Sequence, residues 1–568
     1  TNQKGVGWGQ FLLKALVFLM LLTASMQLRA QEVAMDWAKA FLPNATAGGA
    51  VVPYGVGTDA NGNVYVSGYF TGTVDFNPGP AVTNLTASVS SAFFVKLDKE
   101  GNFIWAKQVG STGGTTSYAL KVDAAGNIYA GGTFAGTGDF NPNAGVNNLV
   151  SNGTLRDGYI LKLDTNGNYV WAQRMGGPNN EYSHDIDLDA AGNVYVIGHI
   201  GAGTATFGAL SITSAGGTDA FVTKLSPAGA YQWVRRLGGP GEDATGAVDV
   251  DAAGNVYISG GAAGNATGMA TLAGAGGFMI KLNTNGTTLW SNLSTETTNY
   301  RGIAIDSDGN VYGGGGGTAT VVKLNSSGTR VWSRKVGTSS YKLKVGPDNN
   351  IYSGGIYNGT STTMGSFTLP FNGGAYDMYV AGLNPAGDVL WAKPFGASGV
   401  EGPFYLSADV PGEVLTAGFF NETVDFDPGP CVFNLTDTSP TGNSGFVLKL
   451  TSNALPAGFA VSPSTVAPLT QTACSLGIPN VITGNAVGVT APAGYTTTIV
   501  YQWQKSTSAS GPWEDMAGEV FKDLQPLASS ESLYYRRLIK AGTNFCGVFQ
   551  TMDTSAVATV TVGANTAP

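Results

Sequence analysis

Apolar and polar residues alternate in short stretches along this chain, as in Tyr118-Ala-Leu-Lys-Val122, where every second side chain is apolar. A period of two marks a half-buried β-strand. Each such stretch leads into a recurring phrase: Asp59-Ala-Asn-Gly-Asn63-Val-Tyr, then matching phrases ending in Asn127, Asn193, Asn255 and Asn310, a weaker Pro347-Asp-Asn-Asn350, and Asp409-Val-Pro-Gly-Glu413. Its Asp and Asn bond local backbone and its Gly tolerates positive φ, so it predicts a tight turn. A Val-Tyr-Val-x-Gly run predicts the second strand. A Val-Lys-Leu phrase, ending at Leu97, Leu163, Leu225, Leu282, Leu324, Leu383 and Leu450, predicts the third. A tryptophan marks the fourth: Trp37, Trp105, Trp171, Trp233, Trp290, Trp332 and Trp391, expected to pack between repeats.

Successive turn markers lie 64, 66, 62, 55, 40 and 63 residues apart, enough for four short strands with loops of variable length. Radial repetition of four-stranded units predicts an all-β, seven-bladed β-propeller. Trp37 has no earlier strands of its own, and the last Val-Leu-Lys-Leu has no later Trp. The strand around Trp37 is therefore expected to complete blade seven beside residues 446–450 and close the ring.

Composition then narrows the class. With 43% hydrophobic and 12% charged residues and 83 glycines, the chain has apolar surface to bury and many tight turns. A net charge of −9 without long charge runs argues against a nucleic-acid partner. Lys4, the apolar run Phe11–Leu22 and Leu28-Arg29-Ala30 have the order of a secretory signal peptide, so the expected location is secreted or cell-surface, with no membrane span after cleavage. The expected units are 1–30 (signal peptide), 31–455 (propeller) and 456–568 (β-sandwich and tail). The start at Thr1, and the lack of a sorting module before Pro568, make a longer parent protein the expectation. Of three cysteines, Cys474 and Cys546 are the disulfide candidates, leaving Cys431 over.

The repeat phrases resemble the bacterial SBBP β-propeller repeat across about residues 34–451. That resemblance implies a scaffold of secreted and surface proteins and no particular ligand. Repeat six departs most, with Gly346 in place of the turn Asp. The C-terminal stretch, with Tyr501-Gln-Trp503, Leu533-Tyr-Tyr-Arg-Arg537 and Val557–Val562, is similar to the immunoglobulin-like modules of Bacteroidetes-type secreted proteins.

Function is expected on one face. The long, diverse connections 69–91, 133–157, 199–217 and 419–443 share an end of the blades with the links 110–117, 176–183 and 238–245. The same end holds the starts of the first strands: Tyr54, Tyr118, His184, Gly246, Arg301, Tyr341 and Phe404. Aromatic groups there suit sugar rings or peptide side chains. Yet these positions share parity with Leu120 and Ile186, which favours packing between blades. Asp75, Asp139, Asp425 and Asp427, in Asp-Phe-Asn/Asp-Pro loops, are weak calcium candidates against the simpler reading of a buried Phe beside a turn. No catalytic motif is present, and no cofactor is expected. The leading expectation is a monomeric adhesion or binding protein for an extracellular glycan or protein, without catalysis. A polysaccharide lyase or glycosidase using His184, Arg301 and Tyr118 is the enzymatic alternative, and a purely structural surface element the third.

Overall fold

The computed structural model describes residues 33–563 apart from 45–47, 153–154, 317–320, 400, 429–431, 440–441, 453–459, 462, 475–477, 488, 491–496, 517–518 and 544–549. The expected signal peptide, Cys431 and Cys546 lie outside the described residues. The described residues are all-β, with no helix among them.

The strands pair as antiparallel meanders. The first sheet joins Gly49–Thr58, Val64–Asp75, Asn84–Leu97 and Phe103–Ser111. The second joins Thr115–Val122, Ile128–Phe134, Asp157–Leu163 and Tyr169–Gly176. The third joins Glu181–Leu188, Val194–Ile200, Asp219–Leu225 and Tyr231–Gly238. The fourth joins Ala244–Val250, Val256–Ala262, Gly276–Leu282 and Thr288–Ser294. The fifth joins Tyr300–Ile305, Val311–Gly315, Val321–Leu324 and Arg330–Arg334. The sixth joins Ser339–Val345, Ile351–Tyr357, Asp377–Leu383 and Val389–Phe395. In the seventh, Gly402–Ser407, Glu413–Phe420 and Ser444–Ser452 are completed by the N-terminal strand Val33–Pro43, whose Trp37 pairs with Lys449.

Burial follows position in the meander. Second and third strands such as Ile128–Phe134 and Asp219–Leu225 are buried throughout, whereas the fourth strand Tyr231–Gly238 is half-exposed. The core is divided between neighbours. Tyr65, Phe94 and Val109 of the first sheet share a cluster with Leu120, Ile128 and Tyr159 of the second. Trp37 and Val447 of the seventh share one with Val51, Val66 and Phe93 of the first.

In the first five repeats the turn phrase is a hydrogen-bonded staple. Asp59 accepts from the backbone N–H of Asn61 (2.9 Å) and Asn63 (3.0 Å), from the Asn63 amide (2.8 Å) and from the Tyr65 hydroxyl (3.0 Å). In repeat six, where Gly346 stands in the Asp position, Asp348 takes over and accepts from Asn350 (2.8 Å) and the Tyr352 hydroxyl (2.7 Å). In the first six sheets the turn before the fourth strand meets the tryptophan of the preceding sheet. Trp37 Nε1 donates to the Lys99 carbonyl (3.0 Å), Trp171 to Pro227 (3.1 Å) and Trp290 to Ser326 (3.1 Å). The Trp171 ring lies against the turn's Gly229, whose φ of 84° also excludes most side chains.

In the C-terminal stretch, Thr497–Ser506 pairs with Leu533–Thr543, which also pairs with Gln550–Thr554 and Ala558–Gly563; Thr470–Cys474 runs parallel to Ala558–Gly563. Trp503 and Arg537 are fully buried there. The Arg537 guanidinium donates to Ser464 Oγ (3.0 Å), Asn485 Oδ1 (2.7 Å) and the Lys522 carbonyl (2.9 Å), so the buried charge is hydrogen-bonded. The expected partner of Cys474, Cys546, is not among the described residues.

Candidate functional site: an aromatic and histidine row on the first-strand bulges

Every first strand carries a bulge at the same repeat position. The pairing register shifts between Pro53 and Gly55, Ser117 and Ala119, Ser183 and Asp185, Thr245 and Val248, Tyr300 and Gly302, Ser340 and Lys342, and Pro403 and Tyr405. A bulge inserts an unpaired residue and turns its side chain away from strict alternation. The inserted residues are Tyr54, Tyr118, His184, Arg301, Tyr341 and Phe404, with Gly246 in the fourth sheet. The parity expectation therefore fails. Leu120 and Ile186 are buried in the inter-sheet clusters, whereas Tyr54, Tyr118, His184 and Tyr341 are half-buried and Arg301 is exposed. Of Phe404 only the backbone, in the strand Gly402–Ser407, is described.

The bulges of the first three sheets bring their rings into one row. Tyr69 stacks on Tyr54 (6.0 Å between centroids), Tyr54 meets Tyr118 edge-on (5.2 Å), and Tyr118 lies 6.2 Å from Tyr182 and 6.0 Å from His184. Tyr182 stacks on His184 (5.8 Å, 10° between planes) and lies 4.5 Å from His199. His184 Nε2 and His199 Nδ1 are 2.7 Å apart, so one ring donates to the other. Burial, then His199 and Lys342, pushes the His184 pKa down to about 3; burial pushes His199 down to about 4. Both rings are neutral at pH 7. Burial, then Tyr69 and Tyr118, raises the Tyr54 phenol above its ordinary range. Tyr69, Tyr182 and His199 escaped the sequence assignment. Their signal is cross-strand: Val52 pairs with Tyr69, and Tyr182 pairs with His199.

Below this row the first strands carry charge. The Tyr405 hydroxyl donates to Asp185, which also accepts from Val248 N–H (3.2 Å) and lies 3.6 Å from Lys342 Nζ. Lys342 sits 4.2 Å over the Tyr405 ring. One residue pair deeper, Lys121 is 2.7 Å from Asp187, which accepts from Val250 N–H (2.8 Å). Burial, opposed by Lys344 and aided by Asp187, lifts Asp249 to about 7.

Away from the row the same level is different. Arg301 places its guanidinium 4.7 Å over the Tyr341 ring, and so is committed elsewhere than to Tyr118 and His184. Between the fourth and fifth sheets a cavity of about 370 Å³ is lined by Glu242, Ala244, Gly261, Ala263, Thr297 and Asn299, with no aromatic ring.

The calcium candidates are loop staples. Asp75 Oδ1 accepts from Asn77 N–H (3.0 Å) and Thr83 N–H (2.8 Å), Asp139 from Asn141 (3.0 Å) and Asn147 (2.9 Å), and Asp425 from Asp427 (3.0 Å) and Phe433 (2.8 Å). Phe76, Phe140 and Phe426 beside them are fully buried. Among the described residues, no three His, Cys, Asp or Glu side chains gather as a metal site.

Known proteins share parts of this chain. Residues 464–564 match a family described as a domain of unknown function (DUF8696). An uncharacterized WD repeat-containing protein of Acanthamoeba polyphaga mimivirus is 26% identical over 216 residues, 33% of this chain and 16% of that protein. The regulatory protein FlaEY of Caulobacter vibrioides is 24% identical over 179 residues, 31% of this chain and 18% of that protein. The chain thus matches less than a fifth of the length of these curated relatives. Among solved structures, a streptogramin B lyase covers 74% of this chain and 99% of its own at 11% identity, with a TM-score of 0.39. Sqt1 from Chaetomium thermophilum covers 68% and 97% at 12% identity, with a TM-score of 0.36.

Proposed function

We propose that this chain is an extracellular glycan-binding protein whose seven meander sheets are the blades of a closed β-propeller, followed by an immunoglobulin-like spacer. Closure is supported by the pairing of Val33–Pro43 with Ser444–Ser452 and by the core cluster shared between the seventh and first sheets. Export is read from the charged, apolar and small-residue order of residues 4–30.

The observation that carries the binding reading is the half-buried row Tyr69–Tyr54–Tyr118–Tyr182–His184, of which Tyr54, Tyr118 and His184 stand on bulges, Tyr182 on the same strand as His184, and Tyr69 on the strand paired with that of Tyr54. Aromatic faces held rigidly on a scaffold offer large apolar area at low entropic cost, which suits the C–H faces of pyranose rings. The reading is non-catalytic. The two imidazoles bond each other, and Asp185 and Asp187 face Lys342 and Lys121. A glycan array followed by titration calorimetry tests it. The expected result is binding to a defined glycan class that Tyr54→Ala and Tyr118→Ala each weaken at least tenfold. Equal binding by both variants, or no glycan bound, overturns it.

A further inference from the structure

The chain has only two histidines, on different strands, and the fold brings them together: His184 on the bulge of Glu181–Leu188 and His199 near the end of Val194–Ile200. They are not opposite each other in the ladder, where His199 faces Tyr182. The bulge swings His184 round until its Nε2 is 2.7 Å from His199 Nδ1, with ring centroids 4.7 Å apart. The two ring nitrogens thus face each other at hydrogen-bond distance, one donating and the other accepting.

We propose that His184 and His199 form a two-imidazole site for a divalent transition metal, copper(II) by preference. The geometry favours this ion. Two metal–nitrogen bonds of about 2.0 Å set at a right angle span about 2.8 Å, whereas a tetrahedral angle spans about 3.3 Å. The observed separation is close to the first, the cis edge of the tetragonal geometry that copper(II) and nickel(II) adopt, and copper binds nitrogen ligands more tightly of the two. Binding requires the donating ring to change tautomer, its proton moving to its other ring nitrogen, and costs one hydrogen bond. The nearest like charge, Lys342, is already engaged by Asp185 at 3.6 Å and by the Tyr405 ring. Tyr182 packs against both imidazoles and limits their rotation. The other coordination positions would be filled by water or by an oxygen of whatever lies on the aromatic row. The site is independent of what that row binds.

The test is copper(II) titration of the full chain, read by electron paramagnetic resonance with pulsed detection of the remote imidazole nitrogens. Because no other histidine exists, imidazole modulation can arise only from this pair. One equivalent of copper(II) with two-imidazole modulation is expected, with nickel(II) and zinc(II) weaker. His184→Gln and His199→Gln should each lower the affinity by at least the roughly tenfold that loss of an outer-sphere partner costs a metal site. Copper bound without imidazole modulation in the wild-type chain overturns the proposal, whether or not the variants fold. So does an affinity unchanged in both folded variants, or no binding at all.

Discussion

The first three sheets and the fourth and fifth sheets place the same repeat position on the same kind of bulge, yet only the first group presents rings there. Tyr54, Tyr118 and His184 occupy it on one flank; Gly246 and Arg301 occupy it on the other. The difference begins with backbone spacing. A Cβ on Gly246 would collide with the Tyr300 carbonyl oxygen, because the first strands of the fourth and fifth sheets run too close there for any side chain. The aromatic row therefore ends at the third sheet for a steric reason, and a cavity without rings lies beyond it. A repeated scaffold supplies equivalent positions, and local approach of the strands decides which of them can carry a ligand-facing group.

Filling the gap is the harshest way to break this comparison. Gly246→Ala forces the Tyr300 carbonyl away and should cost about 3 kcal/mol, at the upper end of overpacking. Denaturant unfolding reads the loss. An unchanged midpoint means the strands separate easily, and the steric account of the bare flank is then wrong.

Removing a ring from the row is next. Tyr118 is the one ring that touches Tyr54, Tyr182 and His184 together. Tyr118→Ala should weaken glycan binding by about 2 kcal/mol, roughly thirtyfold, as loss of a central aromatic anchor does. Its fold should hold, because Tyr118 lies outside the buried inter-sheet clusters. Calorimetry on a folded variant separates the two effects.

The architecture was readable because three independent phrases recur in step, each with a physical duty: the Asp staple, the Lys-Leu strand and the Trp that donates to the next sheet. Asp348 kept that duty when its position shifted by two residues, so the weakest repeat still folded as its sisters do. The site was only half readable. Tyr54, Tyr118 and His184 were found by position, but strict alternation assigned them to the core, since a bulge has no residue signature that survives beside Pro53, Ser117 and Ser183 alike. Tyr69 and His199 needed the strand register, which no local pattern supplies.

A subtler contrast concerns buried acids at the sheet junctions. Glu181, between the second and third sheets, lies near Asp157 and its partner Arg174, yet burial still pushes it up to about 7; at the equivalent sixth-to-seventh junction Pro394 stands where Arg174 does, and Glu401 is left with Asp377. Burial, with Asp377 and Glu422 adding to it, pushes Glu401 up to about 7. The folded state thus holds a proton that the unfolded chain releases above its ordinary pKa of about 4.3. Through Glu401 alone, stability should fall by about 1 kcal/mol between pH 5 and pH 6, with Glu181 and Asp249 adding slopes of the same sign. Glu401→Gln should remove its share of that slope, and unfolding of the variant beside the wild-type chain at the two pH values checks it. A slope unchanged in the variant assigns the titration to another group.

The smallest effect should come from Tyr341. Its position matches Tyr118 in the repeat, and in sequence the two look equivalent. In the fold Tyr341 stands on the first strand of the sixth sheet, outside the ring contacts of the row, with the exposed Arg301 guanidinium 4.7 Å over its face. A glycan on the row has no reason to reach it. Tyr341→Ala should therefore leave glycan affinity within about twofold, and cost the fold about 0.5 kcal/mol through the lost cation–π contact. Calorimetry beside Tyr118→Ala, with the same glycan, makes the difference decisive. If both variants lose binding alike, the ligand reaches the sixth sheet as well as the first three, and membership of the row ceases to explain where it binds.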